Sequence, residues 1–162
     1  MSLPLHSGRI AQRLSSTDAR LDTVLGLIKS CFAYMDTRVD PPSSVHALDI
    51  AALRGYCKTG EVWYLGEPPE ACVILTPKHD ALYLGKLSVA EACRGQGMAA
   101  DCIELAVHRA LSQGYGGLEL QVRVELTDNI DIFKKLGFDV VGTSSHPGYE
   151  RPTSVTMRRQ LA

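Results

Sequence analysis

Apolar residues recur every three or four positions at Leu21, Val24, Leu25, Ile28 and Phe32, the spacing of one helix face, with Ser16 and Thr17 ahead as caps. The preceding run, Arg9 to Ser15, reads as a short strand. Asp40-Pro41-Pro42-Ser43-Ser44 is a rigid break ending in a capping signal, and a less regular pattern from about Val45 to Lys58 predicts a second helix that stops at Gly60. The period then changes. Glu61 to Gly66 and Ala71 to Pro77 are β-rich runs joined by Glu67-Pro68-Pro69-Glu70, a link short enough for an antiparallel hairpin, and Ala81 to Val89 follows as the third strand of a meander.

Helical spacing returns with Ala99, Ile103, Ala106 and Ala110 on one side, while Asp101, Glu104, His108 and Arg109 fall away from it and Gly114 supplies a stop. Leu118 to Val124 alternates strictly, as a strand with one buried face does. Asp128 is expected to cap a short helix bearing Ile130 and Phe133, ended by Gly137. Phe138 to Gly142 and Ser154 to Arg159 close the pattern as two further strands. No repeat, charge block or low-complexity segment interrupts this order.

The chemistry concentrates where the third strand runs into the long helix, at Leu87-Ser-Val-Ala-Glu-Ala-Cys-Arg94-Gly95-Gln96-Gly97-Met98-Ala99. Glycines there allow left-handed backbone and close approach of a ligand, so amides at the positive end of a helix can face an anion, with Arg94 as a cation at the rim. Gly95-x-Gly97-x-x-Ala100 also satisfies a dinucleotide fingerprint, with Glu119 near the spacing of a ribose-binding acid. A Rossmann half, however, places that fingerprint after its first strand in a βαβ series, and here a three-strand meander precedes it.

Read with its surroundings, Arg94-x-x-Gly97-x-Ala99, followed by a helix, an alternating strand and the Phe133-x-x-x-Gly137-Phe138 ending, resembles the GNAT superfamily of acyl-CoA N-acyltransferases over nearly the whole chain. The resemblance implies a single-domain α/β (α+β) fold, a mixed, mostly antiparallel sheet of about six or seven strands flanked by about four helices. It implies acetyl-CoA as cosubstrate, no metal, and an amine acceptor. Backbone groups of Leu87 and Val89 would pair with the pantetheine arm, and the amides from Arg94 through Gly95, Gln96, Gly97, Met98 and Ala99 would cradle the pyrophosphate. The 81–89 and 118–124 strands would diverge at their far ends around the thioester. Asn129 and Phe133 stand at the family's remaining cofactor-side positions.

Two departures bear on mechanism. The family commonly places a tyrosine general acid where Phe133 stands, and an asparagine where Leu126 stands; Asn129 is the nearest amide and is expected to cap the helix instead. Substitutes come from Ser144-Ser-His146-Pro-Gly-Tyr149-Glu-Arg151, the link between the last two strands, with Tyr149 and His146 as catalytic candidates and Tyr83 a weaker one. Glu61, Glu125 and His79 are conceivable bases for the acceptor, and the segment around Pro41 to His46 lies where acceptor specificity is often set. The expected activity is direct transfer of acetyl from acetyl-CoA to a primary amine. The competing function is a non-catalytic acyl-CoA-binding or sensor domain, and a more remote one is a dinucleotide-binding oxidoreductase half.

Composition sets outer bounds. With 162 residues, 45% hydrophobic and 22% charged, the chain fits one domain, expected to cover 1–162. A net charge of −1 gives no basic field for nucleic acid. Cysteines at 31, 57, 72, 93 and 102 are odd in number and lack metal-ligand spacing, as expected of free thiols in the cytoplasm, and no apolar run is long enough for a membrane span. Homodimers are frequent among similar proteins, and the chain is compatible with one.

Overall fold

The computed structural model describes residues 1–161. The strands are β1 (Ser2–Pro4), β2 (Ile10–Arg13), β3 (Glu61–Leu65), β4 (Ala71–Lys78), β5 (Ala81–Val89), β6 (Gly117–Arg123), β7 (Asp139–Ser144) and β8 (Ser154–Gln160). They form one sheet in the order β1-β2-β3-β4-β5-β6-β8-β7, antiparallel throughout except for β5 beside β6. Four helices accompany it: α1 (Leu21–Phe32), α2 (Ile50–Thr59), α3 (Met98–Ser112) and α4 (Thr127–Lys135).

The fold class matches the expectation, with one strand more. The extra strand is β1: Gly8, at φ +92, turns the first residues back so that Ser2, Leu3 and Pro4 pair with Gln12, Ala11 and Ile10. The expected helix from Val45 divides into a 3-10 turn, Ser44–Ala47, and α2, because Asp49 takes an extended backbone and its carboxylate accepts the Ala52 N–H, starting a fresh helix. Neither Ser16 nor Thr17 caps α1; no side chain does, nor does Asp128 cap α4.

The sheet separates two hydrophobic clusters. β3 is buried on both faces: Val62 and Tyr64 meet Val24, Ile28 and Leu53 of α1 and α2, while Trp63 and Leu65 join the cluster holding Ile103, Ala106 and Ala110 of α3. That double burial explains why β3 reads as a continuous apolar run rather than an alternating one. Asp101 corrects the amphipathic pattern of α3. Far from facing water, it is 5% exposed, where its carboxylate accepts hydrogen bonds from Ser7 Oγ (3.0 Å) and Arg9 Nη1 (2.8 Å), pinning the β1–β2 link to the first turn of α3.

Candidate active site

β5 and β6 pair only at Ala81 with Gly117, Leu82 with Leu118 and Tyr83 with Glu119. Beyond Tyr83 both strands continue, to Val89 and Arg123, without pairing to each other, so a wedge opens in the middle of the sheet. Ala90 donates its N–H to Glu70 O on the β4 side. Because backbone groups alternate along a strand, Leu87 and Val89 turn theirs the other way, toward the wedge. Val89 O is there met by the thiol of Cys31 at the end of α1 (3.2 Å).

The strand then enters a 3-10 turn, Glu91–Cys93, held by Glu70, whose carboxylate accepts a hydrogen bond from the Cys93 thiol (2.8 Å) and thereby raises that thiol's pKa. Gly95 and Gly97 follow at φ +79 and +84, angles that side chains disfavour. A Cβ at either would meet nothing within 4 Å, so the turn is open to solvent. Gly97 begins α3 with no side-chain cap, and Asp101 donates the first intrahelical bond back to Gly97 O. The N–H groups of Met98, Ala99 and Ala100 therefore lack intrahelical acceptors, and among the described residues those of Gly95, Gln96 and Gly97 make no backbone hydrogen bond. Arg94 differs: its N–H is engaged by Glu91 O (3.3 Å), leaving the exposed guanidinium as its contribution. Met98 sends its side chain into the core and offers only its amide.

On the other side of the wedge, Phe133 is half-buried and packs edge-to-face on Phe138, ring centroids 5.9 Å apart. Asn129 does not cap α4; its Nδ2 donates to Tyr34 Oη (3.1 Å), joining α4 to the turn after α1.

Across the α1 face of the wedge, the segment Asp40 to Ser44 meets residues from both parted strands. Lys86 Nζ donates to Ser44 Oγ (2.7 Å), Arg123 Nη2 donates to Pro41 O, and the Asp40 N–H is accepted by Glu125 Oε2 (3.0 Å). Tyr149 Oη donates to Asp40 Oδ1 (2.6 Å), a bond that raises the phenol pKa, and Arg151 donates to Asp40 O (2.8 Å). His146 is held inside the β7–β8 loop, its N–H and Nδ1 both against Thr153 Oγ1. Burial holds the Lys86 ammonium below its ordinary pKa.

The candidate bases separate cleanly. Glu61 is saturated by Arg109, Trp63 and Gln113, and His79 lies exposed at the β4–β5 turn, the end of β5 away from the wedge. Glu125 alone of the three stands at the wedge, and its Oε1 is buried without a hydrogen-bond partner. Lys86, Arg123 and Asp40 escaped the sequence reading. Lys86 is the one charged residue of β5, the one available signal, whereas Arg123 occupies a polar position of an alternating strand and looks exposed. Among the described residues no cluster of three or more metal-ligating side chains occurs, and no helix is long and apolar enough to cross a membrane.

No curated protein matches the sequence. Several solved structures share the fold. A GNAT-family acetyltransferase from Staphylococcus aureus superposes with a TM-score of 0.73 at 12% identity, covering 94% of this chain and 99% of that one. The ribosomal-protein-S18-alanine N-acetyltransferase from Escherichia coli gives 0.69 at 17% identity, covering 95% and 94%. A GNAT family acetyltransferase from Elizabethkingia anophelis with acetyl-CoA bound gives 0.66 at 15% identity, covering 93% and 97%. The acetyltransferase (GNAT) family model matches residues 26–138, a span from α1 through the wedge and the glycine turn to Phe138, and the chain therefore belongs to that family.

Proposed function

We propose that this chain, residues 1–162 acting as one domain, transfers acetyl directly from acetyl-CoA to the primary amine of a small molecule, peptide or protein in the cytoplasm. The observation that carries this is the continuous track formed by the wedge edge of β5 and the open amides of the glycine turn. Leu87 and Val89 pair with the pantetheine arm as an added strand would, and the amides from Gly95 to Ala99 bind the pyrophosphate, with the Arg94 guanidinium beside them. Asn129 and Phe133 wall the track on the α4 side.

In the transfer step the amine lone pair attacks the thioester carbonyl carbon and the C–S bond breaks, its electron pair leaving on sulfur. The amine proton passes to Glu125 Oε1, the orphaned acceptor at the wedge, and from there to solvent. Tyr149, kept protonated by its bond to Asp40, gives its proton to the thiolate once the Asp40 contact opens, and is reprotonated from solvent. His146 holds the loop that presents Tyr149 and is the alternative donor. A thiol pKa near ~8.5 makes the thiolate a tolerable leaving group, so Phe133 at the usual acid position does not preclude turnover.

Acetyl-CoA and CoA are expected to raise the melting temperature where NAD does not, and thiol release is expected to depend on added amine. Glu125→Gln should lower kcat roughly 100-fold while leaving CoA affinity intact. Stabilisation by NAD alone would refute the site. Phe133 favours one other function, acyl-CoA binding without catalysis; CoA binding with no amine-dependent thiol release across a broad panel would establish it.

A further inference from the structure

Lys86 and Arg123 rise from the two strands that part, and both end on one five-residue strap, Lys86 on Ser44 and Arg123 on Pro41. The two side chains thus reach the strap three residues apart, one from each of the strands that part. Each cation is short of a partner. Among the described residues neither forms a salt bridge, and Arg123, 9% exposed, keeps its Nε buried with no hydrogen bond. Lys86 is also strained: it lies at φ +54 next to the irregularity opposite Val73, with its ammonium 5.9 Å from the Phe32 ring centroid. Backbone strain in a non-glycine residue of this kind persists where the surroundings enforce it and concentrates at ligand sites.

The same strap carries the opposite charge. Asp40 accepts from Tyr149 with Arg151 Nη2 3.7 Å from its other oxygen, and Glu125, just past β6, accepts the Asp40 N–H at Oε2, 3.9 Å from the same Arg151 nitrogen, while its Oε1 is buried and unpartnered. A purely anionic acceptor would leave the buried Glu125 Oε1 without a donor, and a purely cationic one would leave the buried Arg123 Nε without an acceptor, and an unmet polar atom is costly in a partly buried site. We infer that the acceptor is an amino carboxylate, its carboxylate held by Arg123 and Lys86 and its amino group facing Glu125. A planar guanidinium suits a carboxylate, and the Ser44 hydroxyl now holding Lys86 would share it with the ligand. The assignment rests on the acetyl-transfer function proposed above.

The test uses CoA-bound protein titrated by calorimetry with N-acetyl amino acids and the matching N-acetyl amino amides, product-like pairs that differ only in the carboxylate. At least one pair should show the acid binding about ten-fold tighter than its amide. Lys86→Met and Arg123→Met should each erase the preference, Lys86→Arg should keep most of it, and all three should bind CoA as the parent does, which reports an intact fold. Equal affinity within every pair, absence of saturable binding by every acid, or a preference that survives both methionine variants would overturn the subsite. Turnover is not required: an inactive protein that still prefers the acids would sink acetyl transfer and leave the subsite, whereas turnover of neutral amines without any carboxylate preference would do the reverse.

Discussion

Gly97 carries two constraints at once: a φ of +84 and a position where a side chain would stand in open solvent at the mouth of α3. A Cβ there clashes with nothing, so the cost of substitution comes from backbone strain of about 1–2 kcal/mol and from whatever the new side chain does to an arriving anion. Gly97→Asp adds a carboxylate at the positive helix end, where phosphate would sit. It should weaken CoA binding roughly 10- to 100-fold by calorimetry while Gly97→Asn, which tolerates left-handed backbone, loses much less. Similar losses in the two variants would mean that charge at this turn is irrelevant to the ligand. Gln96 and Arg94, by contrast, expose their side chains, so their replacement tests rim charge without backbone strain.

At the scale of elements, what the sequence revealed and what it hid follow from which forces are local. The glycine turn, the β3–β4 hairpin and the β5 strand were readable because loop length, glycine placement and apolar runs act within a few residues of themselves. The family likeness predicted that β5 and β6 diverge, and the pairing of only three positions bears that out. Asp101 and Arg123 defeated the pattern because their partners, Arg9 at one site and Pro41 at the other, lie some eighty or more residues away and make polar positions buried ones. The Asp40 strap was visible only as a proline break. Its role as the cover that ties β5, β6 and the β7–β8 loop together comes from hydrogen bonds spanning 42 to 111 residues, which no periodicity encodes. β1 escaped for a related reason: three residues are too short for alternation to register, and only the turn at Gly8 brings them to β2.

At the scale of the whole molecule, the long helix that follows the glycine turn is locked at its other end by charge. Glu61 on β3 accepts from Arg109 Nε (2.8 Å), Arg109 Nη2 (2.9 Å), Gln113 Nε2 (3.0 Å) and Trp63 Nε1 (2.7 Å), and the Arg109 guanidinium stands 5.6 Å from the Trp63 ring centroid. The side chains of Glu61 and Arg109 are 8% and 15% exposed, so removing one charge strands the other. Glu61→Gln should therefore cost about 2–4 kcal/mol, a fall in Tm of roughly 4–16 °C for a chain of this size. Burial alone would raise the Glu61 pKa, but the hydrogen bonds from Arg109 and Trp63 and the positive charges of Arg109 and Arg13 outweigh it and leave the folded value below 4.5. A depressed folded pKa means that the unfolded chain takes up the proton first. The stabilisation is complete above the unfolded value and drains away as pH falls from there through the lower folded one. The stability gap between parent and variant should thus hold constant from neutral pH to about 5 and close on the acid side. Calorimetry across that range should show a single transition for both proteins, since the Glu61 network, the two clusters and the unbroken eight-stranded order couple every element to one sheet. A gap that stays open in acid would remove the ion pair as its cause, and two separate transitions would divide the chain that the continuous sheet makes one.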